Sequence, residues 1–295
     1  MVCGIRGEIL TLSGGERAVL VSGSDDGSTS LLSSSRDALR SYPLIVPNLE
    51  LNTGCSAQYH PGPPSDFAQT MTQRLRSLLL DVVCPVNAHS LEITGSNSST
   101  TGQMGELDGG MEAAQEIKAY WVLYIDTLMI CLDGNAFDVA WAAIMAALYD
   151  TKLPIARWDP DYKRVLCDPV ATKPLQVNQL AFSATFGVFT APPGEDTGGD
   201  GDGDGEGDGN GGGKMWILAD PDEFEEGVCE ERILVVMRDE NTIAKVEKGG
   251  GRVAGPRVGT GLAGVKHLQQ CVNMAGKRWK VWNELMKGKG KGKTG

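Results

Sequence analysis

Apolar residues recur along the 295-residue chain at two spacings, and the tracts between them are polar and Gly-rich. After the rigid segment HPGPPSD, Phe67, Met71, Leu75, Leu78 and Leu79 follow steps of three and four. That spacing predicts a helix with one buried face, capped by Asp66. Upstream, PLIVPNLELN (43–52) reads as an extended stretch broken by Pro47. The run AYWVLYIDTLMICL (119–132) is apolar on both alternating faces, as a central strand covered on both sides should be, and Asp126 interrupts it. In DGNAFDVAWAAIMAAL (133–148), Phe137, Trp141, Ile144, Met145 and Leu148 share one helical face, and alanines on the rest predict close packing against a sheet.

Beyond Pro154 come strand candidates AFSATFGVFT, KMWILAD, RILVVM and TIAKVEK, with RDEN as the hairpin turn between the last two. They predict one antiparallel or mixed sheet. A long terminal helix carries Val265, Leu268, Val272, Ala275, Trp279, Trp282 and Met286 at three-four steps, a stripe assigned to core in preference to a partner surface. The pattern divides the chain into a first half, 1–155, a second half, 156–286, and a flexible basic tail, 287–295. Low-complexity loops are expected at 11–41 and 95–110, and a disordered acidic loop at 194–213.

Charge and composition narrow the chemistry. The net charge of −11 is dominated by seven acids in EDTGGDGDGDGEGDGNGGG, so the body is only mildly acidic. The D-x-D-x-D spacing there resembles a calcium loop but lacks the glutamate that closes one. An acidic body argues against a free-standing RNA-binding module, which would want a basic patch with interleaved aromatics. No apolar run reaches the eighteen or so residues a bilayer requires, and MVCGIRGEIL has no leader-like pattern, so a non-secreted protein without a membrane partner is expected. Seven cysteines (3, 55, 84, 131, 167, 229 and 271) are scattered and odd in number, which predicts buried reduced thiols. His60, His89 and His267 lie far apart, so no metal or other cofactor is expected. Asp126 has no acid or base near it in sequence and reads as a structural hydrogen-bonding group.

The turn at Gly134 has two readings. A Gly turn entering a helix gathers unpaired N–H groups and the positive end of the helix dipole, which is how anion sites are built. Against that, Asn135 as N-cap with Asp138 at the third helical position would use those donors internally, in an arrangement like a capping box. No Arg or Lys offsets the Asp138 charge within the stretch.

Five segments, in order, resemble the RNase PH-like subunits of the eukaryotic RNA exosome. They are VCGIRGEI, LIVPNLELNTGCSAQYHPGPPSDFAQ, WVLYIDTLMICLDGNAFDVAWAAIMAALYDTKLP, DPDEFEEGVCEERILVVMRDENTIAKVEKGGG and GTGLAGVKHLQQC. The resemblance implies an α+β RNase PH-like fold related to ribosomal protein S5 domain 2. The family's usual strands and helix ahead of VCGIRGEI have no counterpart after Met1, so that fold is expected without its amino-terminal strands. Active relatives hold phosphate with a Gly-Thr-Arg turn; Gly134, Asn135, Ala136 and Phe137 stand there, with Phe137 in place of the Arg. Their second-half Asp falls at Glu231 or Arg232, and their RNA-contacting arginines give way to QYHPGPPS. The resemblance therefore implies no catalytic, metal or cofactor residues, and a non-catalytic ring subunit supporting RNA threading for 3'-5' RNA degradation and ribosomal RNA maturation. Implied partners are other RNase PH-like ring subunits, an S1-domain cap protein and single-stranded RNA. The implied location is nucleus, nucleolus and cytoplasm. The rival is an active phosphate-dependent 3'-5' exoribonuclease, which requires a phosphate-binding Arg.

Overall fold

A computed structural model describes residues 1–12, 43–57, 59–83, 86–96, 115–190, 215–250 and 263–288. Most of the expected loop 11–41, most of 95–110 and all of 194–213 lie outside the described residues, as do the D-x-D-x-D run and residues 289–295 of the tail. The chain forms two compact units, the first being Met1–Thr53, His60–Ile130 and Ala143–Gln179 and the second Gly54–Tyr59, Cys131–Ala142 and Leu180–Gly295. The units interleave in sequence, so neither coincides with the consecutive halves 1–155 and 156–286.

In the first unit the long strand β4 (Gln115–Met129) organises a sheet. Strand β1 (Val2–Thr11) lies antiparallel along one edge of it. Strand β2 (Ile45–Leu51) runs parallel, and β3 (Glu92–Ser96) antiparallel, along the other edge. The expected double-sided burial of β4 holds from Ala119 to Leu123, then gives way to alternation; the strand ends at Met129 instead of continuing to Leu132. Asp126 falls in the alternating part and is exposed, where it accepts a long 3.5 Å hydrogen bond from Asn48. Pro47 does not break β2. That strand is an edge, so the missing N–H faces no neighbour.

Helix α1 (Asp66–Ser77) is capped by Ser65, whose hydroxyl accepts the Ala68 N–H, and Asp66 is instead the first helical residue. The helix packs against β2 and buries Ala68, Met71 and Leu75. Phe67 lies off that face and is exposed. A π-helical turn, Leu78–Val83, extends it and buries Leu78 and Leu79. Thr11, Gly95 and Ser96 belong to strands β1 and β3, not to the loops assigned to them. A hairpin of β5 (Lys152–Asp159) and β6 (Arg164–Pro174), which the hydrophobic pattern does not announce, completes this unit.

The second unit is built on an antiparallel sheet ordered β10-β9-β7-β8. Its strands are β7 (Phe182–Thr190), β8 (Met215–Ala219), β9 (Glu231–Met237) and β10 (Ile243–Gly250), matching the four expected runs. Asp239 closes the β9–β10 turn by accepting the N–H groups of Asn241 and Thr242, each at 2.8 Å. Helix α4 (Val265–Gly288) covers the sheet, placing Cys271 and Ala275 against Ala184, Phe186, Val188, Ile233, Val235 and Met237. Leu268, Val272 and Trp279 pack on this core as expected, but Val265 begins the helix outside it and is exposed. Lys287 and Gly288 are the last residues of the helix, not the start of a tail. Helix α2 (Ala136–Asp150), of which the residues from Ala143 onward belong to the first unit, buries Phe137, Trp141, Ile144, Met145 and Leu148. A short helix α3 (Glu223–Val228) connects β8 to β9.

The six described cysteines are free, but only Cys55 and Cys271 are buried; Cys131 and Cys167 are exposed. No described helix is long and apolar enough to cross a membrane.

Candidate functional site

Two consecutive left-handed residues, Gly134 (φ 76°) and Asn135 (φ 41°), make the turn into α2. A Cβ on Gly134 would collide with the backbone of Asp222, so only glycine lets the turn rest on the start of α3. Asn tolerates the left-handed region. In that conformation, however, it does not hold the extended backbone from which a side chain caps a helix. The expected capping box is accordingly absent here, although Asp138 does occupy the third helical position. Asn135 Nδ2 instead donates to Asp138 Oδ2 at 2.9 Å and to Asp220, and the Asn135 N–H donates to Glu226 Oε1 at 3.2 Å.

Asp138 is 2% exposed, and its carboxylate turns toward the sheet. Oδ2 accepts the Thr185 N–H at 2.8 Å and Oδ1 accepts the Thr185 hydroxyl at 3.1 Å. The reason lies in the register: β8 pairs with β7 only from Phe186 to Thr190, which leaves the edge of β7 open at Thr185. Asp220, just past β8, donates its own N–H to the Thr185 carbonyl at 3.0 Å. Both backbone groups of Thr185 are thereby satisfied by two aspartates that the Asn135 amide bridges. Arg278 of α4 adds positive charge, 3.6 Å from Asp138 and 4.0 Å from Asp220.

Three carboxylates therefore converge on Asn135. Phe137, which the resemblance sets at the position of a phosphate-holding Arg, is 5% exposed. An incoming phosphate would meet three carboxylates offset by the single guanidinium of Arg278, and the Asn135 N–H already has its acceptor.

The second expected position is equally committed. Glu231 is buried; its Oε1 lies 3.0 Å from Lys248 Nζ and its Oε2 accepts the Ala263 N–H at 2.9 Å. Lys248 also donates to the Ala263 carbonyl at 2.7 Å. Arg232 points outward, 3.8 Å from Glu226. Tyr59, from the segment that the resemblance sets where active relatives carry arginines, has its hydroxyl pKa raised by burial and, to a smaller extent, by Cys55 and Glu223. The histidines stay dispersed: His89 pairs with Glu92 at 3.0 Å, and among the described residues no group of three potential ligands could hold a metal.

The sequence singled out Gly134, Asn135, Phe137, Asp138, Glu231 and Arg232. It gave no notice of Thr185, Asp220, Glu226 or Arg278. Only the DPDEFEE acid cluster signalled anything for two of them, and Arg278 sits in a helix far along the chain, with no local mark of its role.

Comparison with known proteins agrees with this architecture. The 3' exoribonuclease family, domain 1, matches residues 19–154. The fold is similar to the Archaeoglobus fulgidus exosome with RNA bound to the active site, at a TM-score of 0.54 and 17% identity over 96% of this chain and 77% of that one. A second structure, an archaeal exosome core, gives a TM-score of 0.51 at 14% identity, covering 97% of this chain and 76% of that one. By sequence and fold together, the chain is similar to the RNase PH-like proteins.

Among curated proteins it is similar to the exosome complex component rrp43 of Schizosaccharomyces pombe, 33% identical over 231 residues and 78% of this chain. The five segments quoted above resemble in particular the ring subunit called ribosomal RNA-processing protein 43. The exosome complex component Rrp42 of Methanothermobacter thermautotrophicus is 26% identical over 70% of this chain. The chain spans 65% and 59% of the lengths of these two relatives.

Proposed function

We propose that this chain is a non-catalytic subunit of an RNA exosome ring, one that shapes the path of single-stranded RNA and carries protein interfaces. The observation that carries this reading is the closed turn at Gly134: Phe137 is buried where a phosphate-holding cation would stand, and three carboxylates occupy the space around Asn135. Phosphorolysis needs positive groups aimed at the transferring phosphate, and removing one such group typically costs orders of magnitude in rate. Its partners on this reading are other RNase PH-like ring subunits and an S1-domain cap protein. Its role is 3'-5' processing and decay, including ribosomal RNA maturation, in nucleus, nucleolus and cytoplasm.

Two experiments test the proposal. Purified chain, alone and with ring partners lacking their own activity, should release no nucleoside diphosphates from RNA supplied with phosphate. Phosphate-dependent shortening that disappears on Phe137→Ala or Arg232→Ala would establish the exoribonuclease alternative instead. Co-expression with RNase PH-like subunits should yield a stable complex on size-exclusion chromatography. A monodisperse monomer that ignores every ring partner would contradict the assignment to a ring.

A further inference from the structure

Helix α3 is short but firmly held. Asp222 and Glu225 form a reciprocal capping box at its start, and the Cys229 N–H closes its end on the Glu225 carbonyl. Next along the chain, the Glu230 N–H donates to the Val188 carbonyl, and Thr190 donates to the Glu230 carboxylate at 2.7 Å. On this fixed support Phe224 and Val228, four residues apart and hence on one helical face, are 75% and 51% exposed.

A second exposed apolar group lies on the sheet nearby. Met215 and Ile217 pack against the core, so Trp216 and Leu218 of β8 lie on its opposite face, and both are exposed. Leu218 pairs across the ladder with Gly187, and Trp216 with Phe189. A Cβ on Gly187 would lie 3.1 Å from Phe189 and 3.4 Å from Cys229, which places the residue following Val228 directly over this face.

Charge decides what fits. From Met215 to Glu231 there is no Lys or Arg, whereas Asp220, Asp222, Glu223, Glu225, Glu226 and Glu230 all fall in that stretch. Arg232, the partner of Gly187 in the β7–β9 ladder, adds one positive charge and lies 3.8 Å from Glu226, so acids outnumber it on this face. Phosphates of RNA would be repelled there. A second copy of the same face would oppose acid with acid.

We propose that the Phe224–Val228–Leu218 face docks a Lys/Arg-rich segment of a partner protein carrying at least one large apolar side chain, the apolar contact supplying affinity and the acidic rim selecting the partner. Rigid aromatic anchors inside a charged rim are the composition of energetically dominant interface positions. The proposal is independent of whether the chain is catalytic or sits in a ring.

The test uses the full chain and fluorescence anisotropy with a labelled Lys-rich peptide bearing Leu and Trp, its control with Ser at the apolar positions, and an oligouridylate. The Leu/Trp peptide should bind at low ionic strength, weaken with added salt, and lose about tenfold in affinity on Phe224→Ser/Val228→Ser. Glu223→Lys should weaken it without altering any apolar side chain, which keeps the test decisive if the double variant folds poorly. The proposal is overturned if the Ser control binds as well, if neither Glu223→Lys nor the double variant changes affinity, or if oligouridylate displaces the peptide from the wild-type chain.

Discussion

Asp138 accepts both the backbone N–H and the hydroxyl of Thr185, at 2.8 and 3.1 Å, and so joins the first turn of α2 to the open edge of β7. A carboxylate has taken over the work of a missing strand neighbour. The same carboxylate puts a negative charge beside the Gly134 turn, partly offset by Arg278 at 3.6 Å.

Asp138→Ala removes an acceptor shared by Thr185 and Asn135 and leaves their donors buried. Unpaired buried donors in a charged network cost about 1–3 kcal/mol each, so a loss of roughly 2–4 kcal/mol in urea unfolding is expected. A loss within about 0.5 kcal/mol, the range of ordinary surface substitutions, would show that Asp138 does not hold the edge.

Phe137→Arg does not restore phosphorolysis. The guanidinium would replace a buried ring and be drawn to Asp138 and Glu226, so it would lower stability by about 3 kcal/mol or more without presenting a free cation. Nucleoside diphosphate release and the urea midpoint, measured on the same preparation, check both halves; phosphorolysis gained at unchanged stability would refute this account of the turn.

Gly276 marks a close approach of α4 to the β9–β10 turn. A Cβ there would lie 2.5 Å from the Glu240 carbonyl oxygen, a backbone atom that cannot rotate away. Gly276→Ala is expected to cost about 1–3 kcal/mol by overpacking, despite the better helix propensity of alanine. A more stable Ala variant in thermal unfolding would disprove the close contact.

Asp239 supplies a pH signature. Hydrogen bonds from Thr242 and Asn241 hold its carboxyl below the ordinary value of 3.8. A carboxylate lowered on folding contributes stability above its unfolded pKa and loses it as pH falls through the folded one. The stability gap between wild type and Asp239→Ala should therefore be full at neutral pH and close under acid, below about 3.8. A gap of constant size across that range would rule out the turn carboxylate as its source.

Thiol labelling separates the cysteines. Burial pushes the Cys271 pKa up to about 11, so at pH 8 its thiol is both protonated and covered. Cys131 and Cys167 are exposed and should alkylate first in the native chain, as read by peptide mass spectrometry. Cys271 labelling as fast as Cys131 would mean that α4 does not cover the sheet.

Much of the framework was legible because it follows from local spacing. The strands at AFSATFGVFT and RILVVM, the buried stripe of α2 and the RDEN turn each depend on residues within one element. The hairpin of β5 and β6 escaped notice because its residues are mostly exposed or half-buried, giving no continuous apolar face to read. Ser65 displaced Asp66 as the cap of α1 because adjacent residues can serve equally by type, and the choice depends on backbone angles.

By itself, the sequence determined that the segment around Gly134 supplies no cation of its own, since no Arg or Lys lies nearby in the chain; the positive charge that reaches Asp138, from Arg278, comes from α4. It also determined the identities of the elements that a strong apolar period defines. Only the tertiary structure decided how the turn is filled. Thr185, Asp220, Glu226 and Arg278 come from segments up to 143 residues from Asn135 in the chain, and no local pattern records that β8 stops short of Thr185. The edge left open there is a property of pairing between strands. The carboxylate that closes it could be recognised only once both strands were in place.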